Sequence, residues 1–225
     1  MRQVGNQKTL PTLHKSLSCA RVQYINQRKI KMAYGTFKSV EEVATKFDIE
    51  VADTTIFIGE KTLEISELLF SMIENNLRDK INYVSEYAIC ETIIRPILDI
   101  VAQNYPLKIW SHIPYNVDKE KGLVGEPDYL IAPKNKYGGM VNPALCVIEA
   151  KKDNFDEGWT QALAEMVASS LLEAKTCYAV VTTGTVWQFG KLKNNIFIID
   201  PTFVSAPTDL QRLFNIINWV FHEIA

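Results

Sequence analysis

Gly125-Glu126-Pro127-Asp128-Tyr129-Leu130-Ile131-Ala132 and Cys146-Val147-Ile148-Glu149-Ala150-Lys151-Lys152 read together as the two arms of a hairpin. The second arm is a short apolar run that ends in charge. Such a run suits a central strand covered on both faces, and the pattern predicts one over 144–151. The first arm predicts a strand over 123–132 that carries Asp128 inside it. Side chains two apart in a strand share a face, so Glu149 and Lys151 point the same way. Pairing the arms brings Asp128 to them, and two carboxylates and an ammonium converge at one spot.

The flanking sequence supplies the layers. Upstream, 108–114 reads as a strand, with a turn at Lys119-Glu120-Lys121-Gly122. A helix starts at Ser85, with an apolar stripe of Tyr87, Cys90, Ile93, Ile94, Ile97, Leu98 and Val101; Pro96 inside it marks a kink or a junction. Earlier still, Ser39-Val40-Glu41-Glu42 reads as a capping box for a short helix to about Phe47. A strand is expected over 54–58 and a helix over 63–77. Downstream, a helix from about 158 to 173 buries Trp159, Ala162, Leu163, Met166 and Val167. Strands follow over 178–182, 186–189 and 196–199, and a closing helix over 210–224. Helix, strands, helix, strands, helix describes a mixed sheet flanked by helices, an α/β (α+β) fold. The expected organisation is a basic, disordered leader over 1–31, an accessory segment over 32–80 and a core domain over 81–225. Met32 is an alternative start, and the leader lacks the amphipathic pattern of a transit peptide.

Two hard oxygen ligands beside a lysine suit Mg²⁺, with Mn²⁺ as a substitute. Here the chain resembles the PD-(D/E)xK nuclease superfamily, also called restriction-endonuclease-like: Pro127-Asp128 matches the PD and Glu149-Ala150-Lys151 the ExK. The Ser85-Glu86 … Arg95-Pro96-Ile97-Leu98 segment is similar to the helix ahead of that family's catalytic strands. The run Thr182-x-Gly184-x-x-Trp187 is similar to members that carry the restriction-type domain. The resemblance covers about 85–190 and implies an αβββαβ core with a helical N-terminal extension. It implies a Mg²⁺-dependent nuclease that hydrolyses DNA, with RNA left open. Asp128 and Glu149 would hold the metal, joined by the Ala150 carbonyl and by Glu86, or by Glu91 if the helix register differs. Lys151 would orient water or neutralise developing charge. Gln161, on the helix after the ExK strand, would hold a phosphate oxygen or a water network. Lys152 would meet backbone phosphate. Lys134 and Lys136, in the polar loop over 133–143, are further phosphate candidates read from the sequence alone. Cutting both strands with one centre per chain suggests a homodimer.

Composition narrows the alternatives. Twenty-four basic against twenty-six acidic residues give a net charge of −2, so nucleic-acid affinity needs a local patch and a metal rather than a basic surface. Cys19, Cys90, Cys146 and Cys177 form no Cys-x-x-Cys pair, which suggests a reducing cytoplasm. His14, His112 and His222 share no ligand spacing with them, which argues against zinc. No run approaches the length of a membrane span, and there is no phosphate-binding Gly-rich loop. Two other readings stand beside the nuclease. One is a catalytically silent nuclease-like module that binds nucleic acid or a protein. The other is sugar hydrolysis by the carboxylate pair, which leaves Lys151 without a task.

Overall fold

Ser39 opens the first helix as its neighbours demand. Its Oγ accepts the Glu42 N–H at 3.2 Å, and α1 (Val40–Phe47) follows. The Glu42 carboxylate reaches back to the Lys38 N–H at 2.8 Å, one residue further than a standard capping box. The structure, a computed structural model, describes residues 34–225; the leader read over 1–31 and the alternative start at Met32 lie outside the described residues. Residues 34–80 belong to the same compact unit as the rest. β1 (Glu50–Val51) adds an edge to the sheet.

The strand expected over 54–58 does not form. Its backbone finds another acceptor: the Phe57 and Ile58 N–H groups donate to the Asp200 carboxylate at 2.6 and 3.0 Å, and Thr202 N–H joins them at 2.9 Å. Burial works against the charge, but these donors outweigh it and hold the Asp200 carboxyl below its ordinary range. Asp200→Ala leaves three amides without their acceptor, at a cost of about 3 kcal/mol. A lowered melting temperature and faster proteolysis within 53–60 are the expected readouts, with Asp200→Asn in between.

α2 (Glu67–Arg78) starts later than the apolar pattern suggested. Ser66 caps it by accepting the Leu69 N–H at 3.4 Å, and Leu63 instead donates its N–H to Asn215 Oδ1 at 3.1 Å. Ser85 then caps α3 (Glu86–Ile89), which runs through a π turn (Cys90–Ile94) into α4 (Arg95–Ala102). Pro96 marks the junction. It has no N–H for the carbonyl of Thr92, four residues back; the Asn76 side-chain amide fills that place at 2.8 Å. The Arg95 N–H donates to the Cys90 carbonyl, five residues back, which is the π spacing.

The remaining elements are β2 (Leu107–Ser111), β3 (Tyr129–Pro133), β4 (Cys146–Ala150), α5 (Phe155–Leu171), β5 (Thr176–Thr182), β6 (Val186–Lys193), β7 (Ile196–Ile199), β8 (Val204–Ser205) and α6 (Leu210–Ile224). The sheet order is β1-β7-β6-β5-β4-β3-β2, with β8 on β6. β4 pairs antiparallel with β3 and parallel with β5. β3 is shorter than the 123–132 expected, and Asp128 is the residue before it. The reason is local: Tyr115 N–H donates to the Gly125 carbonyl at 2.8 Å and Val117 N–H to the Leu123 carbonyl at 2.9 Å, so that stretch pairs with its own loop.

Alternation along β4 sorts the layers. Cys146, Ile148 and Ala150 pack with α3, α4 and α6 in one apolar cluster. Val147 packs with α1 and α5 in the other. Both faces are covered, so every residue of β4 is buried. The protein is a mixed α/β fold, helices on either side of a mixed sheet. No helix among the described residues is long and apolar enough to cross a membrane.

Candidate functional site

The antiparallel register of β3 and β4 sets Tyr129 opposite Ile148, so the residues just beyond, Asp128 and Glu149, meet at the end of the pair. The Asp128 N–H donates to Glu149 Oε1 at 3.4 Å, and Asp128 Oδ2 accepts the Ala150 N–H at 2.8 Å. Strand alternation puts Glu149 and Lys151 on the α5 side, with Lys151 Nζ 3.5 Å from Glu149 Oε2. Glu157, in the first turn of α5, comes within 4.0 Å of the same ammonium. Gly158 lets the helix lie this close: a Cβ there would stand 2.5 Å from Val181 Cγ1 and 3.2 Å from Lys151 Cγ.

Burial sets the electrostatics. The Glu149 side chain is 2% exposed. That burial, with the Asp128 charge added, pushes its carboxyl up to about 8 against the partial pull of Lys151. Burial likewise raises Asp128, opposed by the Ala150 N–H and by Lys151. For Lys151, burial disfavours the ammonium, but Glu149, Asp128, Glu86 and Glu157 outweigh it and the net shift is upward.

Glu165 is the acid the sequence reading missed. It lies on α5, fully enclosed, and no N–H or hydroxyl donor reaches either of its carboxylate oxygens. Burial, then the Glu149 charge, raises its carboxyl well above the ordinary range, which favours its neutral form. No periodic signal marks it, because α5 is buried on nearly every side and an inward acid does not stand out.

The other candidates are placed as follows. Glu86 opens α3, and its Oε1 accepts the Lys152 N–H at 3.2 Å, which ties that helix start to the end of β4; Glu91 makes no such bond. The Lys152 side chain is exposed. Gln161 lies one turn before Glu165 on α5 and is half-buried, with no hydrogen bond to the three charged residues. Lys134 and Lys136 follow the far end of β3, a strand's length of about 16 Å from Asp128; Lys136 Nζ lies 4.9 Å from the Tyr137 ring centre.

A second surprise adjoins Asp128. Its Oδ1 lies 3.8 Å from His112 Nδ1. Among the described residues, Cys90, His112 and Asp128 form a group whose ligand atoms all fall within 4.8 Å of one another. The expectation against zinc rested on spacing, and spacing is blind to residues brought from a π turn, a strand end and a hairpin. Burial, then the Asp128 charge, pushes the Cys90 thiol up to about 12.

No family model matches the chain, and no curated protein is significantly similar to it.

Proposed function

We propose that this protein is a Mg²⁺-dependent phosphodiesterase acting on DNA, built on a restriction-endonuclease-like core. One observation carries the reading: Asp128 and Glu149 stand side by side at the end of paired strands, with Lys151 Nζ 3.5 Å from Glu149. The order α3–α4, β2, β3, β4, α5, β5 agrees with the αβββαβ order that the sequence resemblance implied. The donor set suits a hard cation, with two carboxylates and the Ala150 carbonyl all presenting oxygen. Asp128 forms the accessible lip of this set, its side chain 23% exposed, and Glu149 forms the floor. Bound there, the cation would polarise a phosphoryl oxygen and acidify a water.

The chain's own residues do the rest. Lys151, held by Glu149 and Glu157, keeps a positive charge where negative charge develops on a phosphate. Glu86 holds the Lys152 backbone and so the end of β4. A homodimer working in the cytoplasm belongs to the same proposal, since each chain supplies one centre.

The test is incubation of the full chain with single- and double-stranded DNA and RNA, with Mg²⁺, with Mn²⁺ and with excess EDTA. Cleavage with metal and none with EDTA is the expected result. No cleavage of any substrate favours a silent binding module, and full activity in EDTA favours the carboxylate-pair hydrolase. A companion measurement uses the proton on Glu149. A cation must displace it, and burial holds that carboxyl at about 8. Mn²⁺ affinity by calorimetry should therefore rise by up to about tenfold per pH unit below that value and level off above it. Affinity independent of pH would remove Glu149 from the ligand set.

A further inference from the structure

We propose that Cys90, His112 and Asp128 form a second cation site, one for a zinc-type divalent ion, beside the oxygen site and sharing Asp128 with it. Their ligand atoms lie within 4.8 Å of one another. A thiolate, an imidazole and a carboxylate together suit a borderline-soft tetrahedral ion, whereas Mg²⁺ prefers oxygen alone. The 3.8 Å between His112 Nδ1 and Asp128 Oδ1 is too long for a hydrogen bond. It is close to the separation of about 3.4 Å that two ligands of one tetrahedral zinc ion keep.

Three independent features point the same way. First, His112 has no hydrogen-bond partner at either ring nitrogen: Nδ1 stands off Asp128 at 3.8 Å, and Nε2 is enclosed and unpaired. Unpaired buried polar atoms are costly and call for an explanation. Second, His112 adopts φ +48°, a left-handed backbone that L-residues enter at a cost of about 1–2 kcal/mol. Its N–H is anchored on the Asp128 carbonyl at 3.2 Å, and its ring is held between Tyr87 at 5.8 Å and Tyr129 at 5.9 Å. The strain and the two rings fix the imidazole toward Asp128. Third, Cys90 begins the π turn, an irregularity often found at functional sites. It is 1% exposed, so an ion enters from the side of His112 and Asp128, and a water there completes the coordination. On binding, the Cys90 S–H bond breaks, its proton leaves to solvent, and the thiolate bonds the metal.

Sharing Asp128 gives the site a consequence. An ion held by Cys90 and His112 draws that carboxylate away from Glu149, so zinc competes with Mg²⁺ for the protein.

Cobalt(II) tests the site without any cleavage assay. The metal-free full chain titrated with Co²⁺ should develop a near-ultraviolet thiolate-to-cobalt band and intense tetrahedral visible bands at one ion per chain. Cys90→Ser and His112→Ala should each lose the thiolate band or weaken zinc binding by more than about 100-fold, beyond what loss of an outer contact produces. Glu149→Gln should keep the band. His112 is partly exposed, so His112→Ala keeps the test sound if Cys90→Ser folds poorly. The proposal is overturned if the parent shows no thiolate band, or if the band persists in both variants and so belongs to another cysteine. It stands apart from the nuclease reading: a cobalt band without cleavage sinks that reading alone, and cleavage without a band sinks this one alone.

Discussion

Lys151→Ala lowers the rate of metal-dependent cleavage by about 10³-fold and leaves cation binding in place, whereas Asp128→Ala removes both. The contrast follows from where the two groups sit. Asp128 offers oxygen at the accessible end of the β3–β4 pair, and its Oδ2 also accepts the Ala150 N–H at 2.8 Å. Losing it takes away a ligand and a support together. Lys151 offers no lone pair while charged. Its ammonium is buried and fixed between Glu149 at 3.5 Å and Glu157 at 4.0 Å, a posture that serves charge developing on a substrate. Its loss tightens the hold of the proton on Glu149, so binding is measured as a pH series and compared on the alkaline plateau, where that proton no longer competes. Single-turnover cleavage gives the first quantity and Mn²⁺ titration the second. Equal loss of binding in both variants would make Lys151 a structural counter-ion, and parental cleavage by Asp128→Ala would end the nuclease reading.

The legible part of the site was the part that obeys a short period. Glu149 and Lys151 share a face because strand alternation has no other outcome, and β4 announced its central position by being apolar on both faces. Asp128 faces Glu149 across the end of the β3–β4 pair, but its strand is shorter than the apolar pattern suggests, because the pairing of Val117 with Leu123 is a loop closing on itself. Pro96 was legible as a break. The π turn that precedes it was not, since that depends on Asn76 arriving from α2 to take the Thr92 carbonyl. Glu165 went unread because α5 is buried nearly all round, from Ala162 to Ser169, so no polar face remained against which an inward acid would stand out. Cys90 and His112 meet Asp128 through three elements at unrelated spacings. Only the folded chain makes them neighbours.

Replacing Glu149 with Gln should stabilise the metal-free protein at alkaline pH, the reverse of what an ordinary buried ion pair predicts. Removing one member of such a pair costs about 3–5 kcal/mol, because the other charge is left alone. Lys151 is not left alone: Asp128, Glu86 and Glu157 still act on it. Glu149 itself is held at about 8 by burial and the Asp128 charge, against an ordinary 4.5. Its folded-state value lies above its unfolded one, so between those two pH values the folded chain binds more protons and stability falls as pH rises. The loss reaches at most about 5 kcal/mol above about pH 8, where folding must either ionise an enclosed carboxyl or keep a proton against the solvent. Glutamine imitates the protonated form at every pH. Glu149→Gln should therefore match the parent near pH 5 and melt up to about 10 °C higher near pH 8.5, with a flatter profile between. Glu165, raised first by burial, leaves a residual slope in both proteins, smaller in the variant, where the Glu149 charge no longer adds to it. Adding Mg²⁺ at the alkaline end should raise the melting point of the parent and not of the variant, because only the parent gains a ligand's binding energy in the folded state. Scanning calorimetry across that pH range, with and without the cation, reads all of these together. A Glu149→Gln protein that melts lower than the parent at every pH would show that the Glu149–Lys151 contact exists to hold the fold.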